Sequence, residues 1–287
     1  MDSSRAAACL LICGTLAAPQ AKANPGFAPA PEIDQAFTRL YNFDFSGSHA
    51  VLDQHIAANP SDPLGFAVRA SAYLFHELDR LGILEGEFFA DDKRLIDKKK
   101  LKPDPDVRAK FFATVDAAQT RALAVIKSDP DDRNALFALC IASGVVTDYV
   151  ALIEKKQFGS LSHVKKSTQY AQRLLKLDPQ FYDAYLTTGL TEYLIGSLPF
   201  FVRWFIRIDH VEGDKDQGIR NLELVAREGR YLKPFAKVLL AMVYLREKRP
   251  LDTQRLLVEL SGAYPENKLF RKELAKVTAK IGSGGGY

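Results

Sequence analysis

The chain has 287 residues, 47% of them apolar and 26% charged, with 39 basic residues against 35 acidic ones. That length and apolar share suffice for a sizeable core, and a near-balanced formal charge of +4 gives no warrant for nucleic-acid binding, which usually shows a dense basic face. Abundant Leu and Ala, with Gly and Pro mostly at punctuation points, is the composition of a soluble, helix-rich protein.

The opening MDSSRAAACLLICGTLAAPQAKANPG places Arg5 before an apolar run from Ala6 to Ala18, followed by the small-x-small triplet Ala21-Lys22-Ala23. This is the layout of a secretory signal peptide over residues 1–23, with cleavage before Asn24. The expected location is therefore periplasmic or secreted. The run of 13 residues falls short of the about 20 that span a bilayer. Lipoprotein anchoring at Cys13 is disfavoured, because bulky Ile12 stands where a small residue belongs. Losing Arg5, Lys22 and Asp2 leaves a formal charge of +3, and Cys140 becomes the sole cysteine, so no internal disulfide is expected. Cys140 lies in the apolar helical stretch NALFALCIASG and reads as a small buried hydrophobe. No stretch after residue 24 is expected to cross a membrane.

Residues 24–31 read as a linker, 32–281 as one helical domain and 282–287 (GSGGGY) as a flexible tail. Within the domain, VLDQHIAANPSDP, ALAVIKSDPDD, AQRLLKLDPQF and LVELSGAYPEN each close an amphipathic helix with a proline turn, at Pro60, Pro130, Pro179 and Pro265. Helix, proline turn, helix is the junction between tetratricopeptide units. The last unit keeps the register, with Ala241 at the small position, Tyr244 at the aromatic one and Leu257 on the second helix; Ala70 with Tyr73, and Gly189, repeat the pattern. A small residue admits close helix approach, and large apolar ones at helical spacing fill the gap.

The expected fold is all-α: a right-handed superhelical stack of tetratricopeptide-like hairpins at 32–60, 63–130, 132–179, 181–229 and 231–265, with a final helix at 266–281. The first hairpin turns at DFSG, and inter-helix insertions are expected at 81–106, at EKKQFGSLSHV in the third unit and at 197–214 in the fourth.

The last insertion, SLPFFVRWFIRIDHVEGD, holds three phenylalanines and the chain's single tryptophan. Phe200, Trp204 and Ile208 fall four apart with Phe201 and Phe205 beside them, while Arg203 and Arg207 form a second stripe. Three readings stay open: packing between hairpins, an interfacial helix with its arginines on anionic headgroups, or a peptide or apolar-ligand contact. The candidate binding residues are Phe200, Phe201, Arg203, Trp204, Phe205 and Arg207. Ser197-Leu198-Pro199, then Gly213-Asp214-Lys215, Gly218-Ile219 and Leu222, continuing through GRYLKPFAKVLLAMVYL (229–245), resemble the marker segment of a tetratricopeptide family associated with the mitochondrial outer membrane and inclusion-body clearance. The resemblance implies a non-enzymatic helical-repeat protein working near a membrane.

Catalytic and metal chemistry find no pattern. The acidic run DHVEGDKDQG does not match a calcium loop, and Asp214 or Asp216 reads as the cap of a helix starting near Gln217. None of the five histidines pairs at metal-ligand spacing, and no nucleotide loop or nucleophile elbow is present. DDKRLIDKKKLK (91–102), with six cations and three anions, reads as a solvated face. The expectation is an exported, non-enzymatic interaction scaffold that needs no cofactor or metal, binds a protein partner through its concave face, and makes a possible peripheral membrane contact. The alternative is a membrane-surface or apolar-ligand binder using 199–208.

Overall fold

The computed structural model describes residues 30–84, 101–198 and 213–283. Among these residues there is no strand. Eleven α-helices follow in order: α1 (Pro31–Tyr41), α2 (Phe45–Ala58), α3 (Pro63–Arg80), α4 (Pro105–Ser128), α5 (Arg133–Asp148), α6 (Gln157–Leu177), α7 (Tyr185–Gly196), α8 (Lys215–Glu228), α9 (Lys233–Arg246), α10 (Pro250–Ala263) and α11 (Lys268–Gly282). Every helix packs on the next, and α3 also packs on α1 and α5.

The proline turns are built alike, because each places proline second in a four-residue turn whose fourth amide donates to the first carbonyl. Asp62 N donates to Asn59 O (3.0 Å), Asp132 N to Asp129 O (3.2 Å), Phe181 N to Asp178 O (3.0 Å) and Asn267 N to Tyr264 O (3.1 Å). Three of the fourth residues then cap the next helix, through Leu64 N on Asp62, Ala135 N on Asp132 and Leu269 N on Asn267. The carbonyls of Pro60 and Pro130 are held in turn by Arg121 and Arg173 from α4 and α6. The small positions behave as expected. Gly189 and Gly218 bring α7 and α8 into backbone contact, and a Cβ at Gly218 would lie 2.5 Å from Tyr193 N. Ala241, Tyr244 and Leu257 are all buried.

Three expectations are corrected. In the third unit most of the expected insertion is helical: α5 widens into an underwound π-turn at Tyr149–Ile153 and, after the short break 154–156, α6 already begins at Gln157. The first hairpin turns at Asn42–Asp44 rather than through Gly47, because Asp44 caps α2 by accepting from Gly47 N, with Phe43 at φ 63°. Finally, Arg133–Ile153 is long and apolar enough to cross a membrane, at 21 residues and a mean hydropathy of 2.1. Most of its most apolar stretch is buried among α3, α4 and α6, as in a core helix that is apolar all round.

The chain also closes on itself. The loop after α8 reaches the first helix: Phe37 stacks on Tyr231 (5.2 Å), Tyr41 Oη donates to Tyr231 O (2.9 Å) and Arg230 pairs with Asp34 (2.8 Å). The turn before α11 joins them, with Asn267 Nδ2 donating to Tyr41 O (2.9 Å) and Glu266 N to Asn42 Oδ1 (3.3 Å).

Candidate functional site

Phe200, Phe201, Arg203, Trp204, Phe205 and Arg207, the residues singled out from sequence, lie outside the described residues, as do residues 1–23, read as a signal peptide, with Cys13, and most of the charged run 91–102. What the structure describes is the two stems from which the long insertions spring, and an aromatic cluster that joins helices far apart in the chain.

The stem of the aromatic insertion is rigid. Glu192, in the last turns of α7, accepts from Gly213 N (3.1 Å) and Asp214 N (3.0 Å) through one carboxylate oxygen. Gly213 turns the chain at φ 78°, and its Cα faces Ile195 so closely that a Cβ would sit 2.4 Å from that side chain. Asp214 caps α8 by accepting from Gln217 N (3.0 Å). This is the capping expected, with the helix starting two residues earlier, at Lys215. The glycine and aspartate of the Gly-Asp-Lys motif thus have structural work: a left-handed turn and a helix start. Lys215 pairs with Glu247 (2.7 Å), which also accepts from Tyr193 Oη (2.9 Å), tying α7 and α8 to the turn after α9.

The stem of the 81–104 insertion repeats the device. Buried Glu77 in the last turn of α3 accepts from Asp104 N (2.7 Å) and from Arg80 at two points (2.8 and 2.7 Å). Asp104 then caps α4 by accepting from Asp106 N and Val107 N, and Arg80 reaches on to Lys102 O (2.8 Å). Arg108 at the start of α4 pairs with Glu154 just past the π-turn (2.9 Å), so the second and third hairpins present their turns side by side. Tyr149 lies beneath, stacked on Phe111 (4.7 Å), with burial raising its phenol to about 12.

Tyr231 stands between Phe37 and Phe137 (5.2 and 6.2 Å), Phe181 packs edge-on against Phe137 (5.0 Å), and Phe235 meets Phe75 (5.3 Å). The loop carrying Tyr231 is held by one buried carboxylate, Asp183, which accepts from Arg230 N (3.1 Å), Tyr231 N (3.3 Å) and Leu232 N (2.8 Å). Burial raises the Asp183 carboxyl above its ordinary range, against the pull of those three amides and of Arg230. Sequence reasoning missed Asp183, because its partners lie 47 to 49 residues away; position 231 stood out only as part of the resemblance through GRYLKPF.

Cys140 is buried as expected, near the hydroxyls of Thr187 (3.2 Å) and Ser167 (3.7 Å). Burial raises its thiol pKa, which leaves it protonated and unreactive at neutral pH. Among the described residues no group of three or more His, Cys, Asp or Glu side chains is arranged to hold a metal. Compared with protein-family models, curated proteins and solved structures, the chain has no match.

Proposed function

We propose that the protein is an exported, non-enzymatic tetratricopeptide-like scaffold that meets its protein partner with its long inter-helix excursions. The observation that carries this reading is the pair of matching stems. A carboxylate near the end of one helix, Glu77 or Glu192, clasps the residue that caps the next, Asp104 or Asp214. A loop whose two ends are clamped to a packed scaffold loses less freedom when it binds than a free one, and binding residues commonly ride on loops held by such scaffolds. The concave-groove mode first expected from a repeat array has less support, because Tyr231 is itself stacked between Phe37 and Phe137 from α1 and α5. The candidate binding residues Phe200, Phe201, Arg203, Trp204, Phe205 and Arg207 belong to one of the clamped excursions.

The test compares the full chain with versions in which 85–100 or 199–212 is replaced by a Gly-Ser linker of equal length. Each bait is used to capture partners from cell-envelope extract. A partner retained by the parent and lost from a loop-replaced version with unchanged melting temperature supports the proposal; capture that is indifferent to both replacements overturns it. Flotation with anionic vesicles separates the membrane reading. Vesicle binding that vanishes in Trp204→Ala plus Phe205→Ala, with no protein captured, favours the surface-binding alternative.

A further inference from the structure

The seam between α2 and α3 holds an imidazole with nowhere to place a charge. Neither ring nitrogen of His49 has appreciable solvent access or a hydrogen-bond partner. Its ring lies against Tyr73, 4.3 Å between centroids, and is wedged where Arg69, Tyr73 and His76 line one face of α3. The ionisable groups facing it are Asp53 from α2, Arg69 and His76 from α3, and Lys110 from α4. The one anion, Asp53, is already bound to Arg69 at 2.5 Å. His76 is covered on one side by Phe45 (5.1 Å). A proton arriving at His49 finds no acceptor, loses hydration and meets like charge on two helices; each of these disfavours the cation.

We propose that His49 is an acid-sensitive wedge: its protonation drives the ring out of the α2–α3 seam and loosens the first helical hairpin. Burial is the larger cause and Arg69 the next, and together they hold the half-buried ring neutral down to about 4, against an ordinary 6.5. The closed seam binds the proton more weakly than the opened one. Its stability is therefore complete above about pH 6.5 and is lost as pH falls toward about 4. Because α1 carries the contacts to Tyr231 and Asn267, loosening α2 also weakens the closure of the first hairpin on the far end of the chain.

Hydrogen exchange of the full chain, corrected for the intrinsic pH dependence of exchange, tests this with residues 233–246 as internal reference. Between neutral pH and about pH 4.5 the opening of 45–58 should rise about fiftyfold relative to the reference in the parent. It should stay flat in His49→Phe, whose ring can fill the same space without a charge. Equal acid response in parent and variant overturns the proposal. Should His49→Phe fail to fold, the imidazole titration of the parent followed by NMR decides: a His49 pKa at or above the ordinary 6.5 overturns it, and one well below supports it.

Discussion

Asp148 ends the apolar helix α5 with no hydrogen-bond or ion-pair partner among the described residues. Burial raises its carboxyl to about 7, although its side chain keeps partial contact with solvent, which damps the consequence. A carboxyl raised in the fold above its unfolded value near 4 stabilises below that value and loses the contribution as pH rises through about 7. Asp148→Asn should therefore raise the melting temperature at pH 8 and leave it nearly unchanged at pH 4, as calorimetry at the two pH values would read. Gly218 gives a second test, in which two effects oppose each other. Alanine in place of a helical glycine adds about 1 kcal/mol, but here the added carbon would meet backbone atoms of Tyr193 and Gly189 at 2.5 and 2.7 Å. Overpacking costs about 1–3 kcal/mol or more and should win, so Gly218→Ala lowers the denaturation midpoint. Gly262→Ala, where a Cβ meets nothing within 4 Å, should be neutral or slightly stabilising.

At the scale of elements, helices and turns were legible because their causes are local. Each proline turn needs only Pro at its second position and a capping side chain nearby, so Pro60, Pro130, Pro179 and Pro265 marked the junctions without knowledge of the fold. The π-turn at Tyr149–Ile153 was not legible. One extra residue in a helix leaves no composition signal, and EKKQFGS reads as loop by polarity alone. The stems were half legible: Asp214 announces a cap, but Glu192, its clasp, lies 22 residues back. Glu192→Ala should speed exchange at the amides of Gly213 and Asp214 and lower stability by about 1–2 kcal/mol, since two donors lose a charged acceptor. Helix content by circular dichroism should stay unchanged.

For the whole molecule, the closure of the first hairpin on the loops near the far end changes how the chain unfolds. An open repeat array is a nearest-neighbour system in which distant units open independently. Here Asn267, fully buried, caps α11 and donates to Tyr41 O across 226 residues. Asn267→Ala should cost about 1–3 kcal/mol and raise exchange in 31–41 as well as in 268–282; an effect confined to α11 would refute the coupling.

Periodicity, proline turns, caps and small positions lie within a few residues of what they control, and the order and all-helical character of the hairpins followed from sequence alone. That Tyr231 stacks between Phe37 and Phe137, that Asp183 gathers three amides, and that α1 meets the turn before α11 depend on how helices far apart in sequence are placed. That placement comes from side-chain volumes packed across every helix contact, so only the folded chain determines where its first and last turns meet.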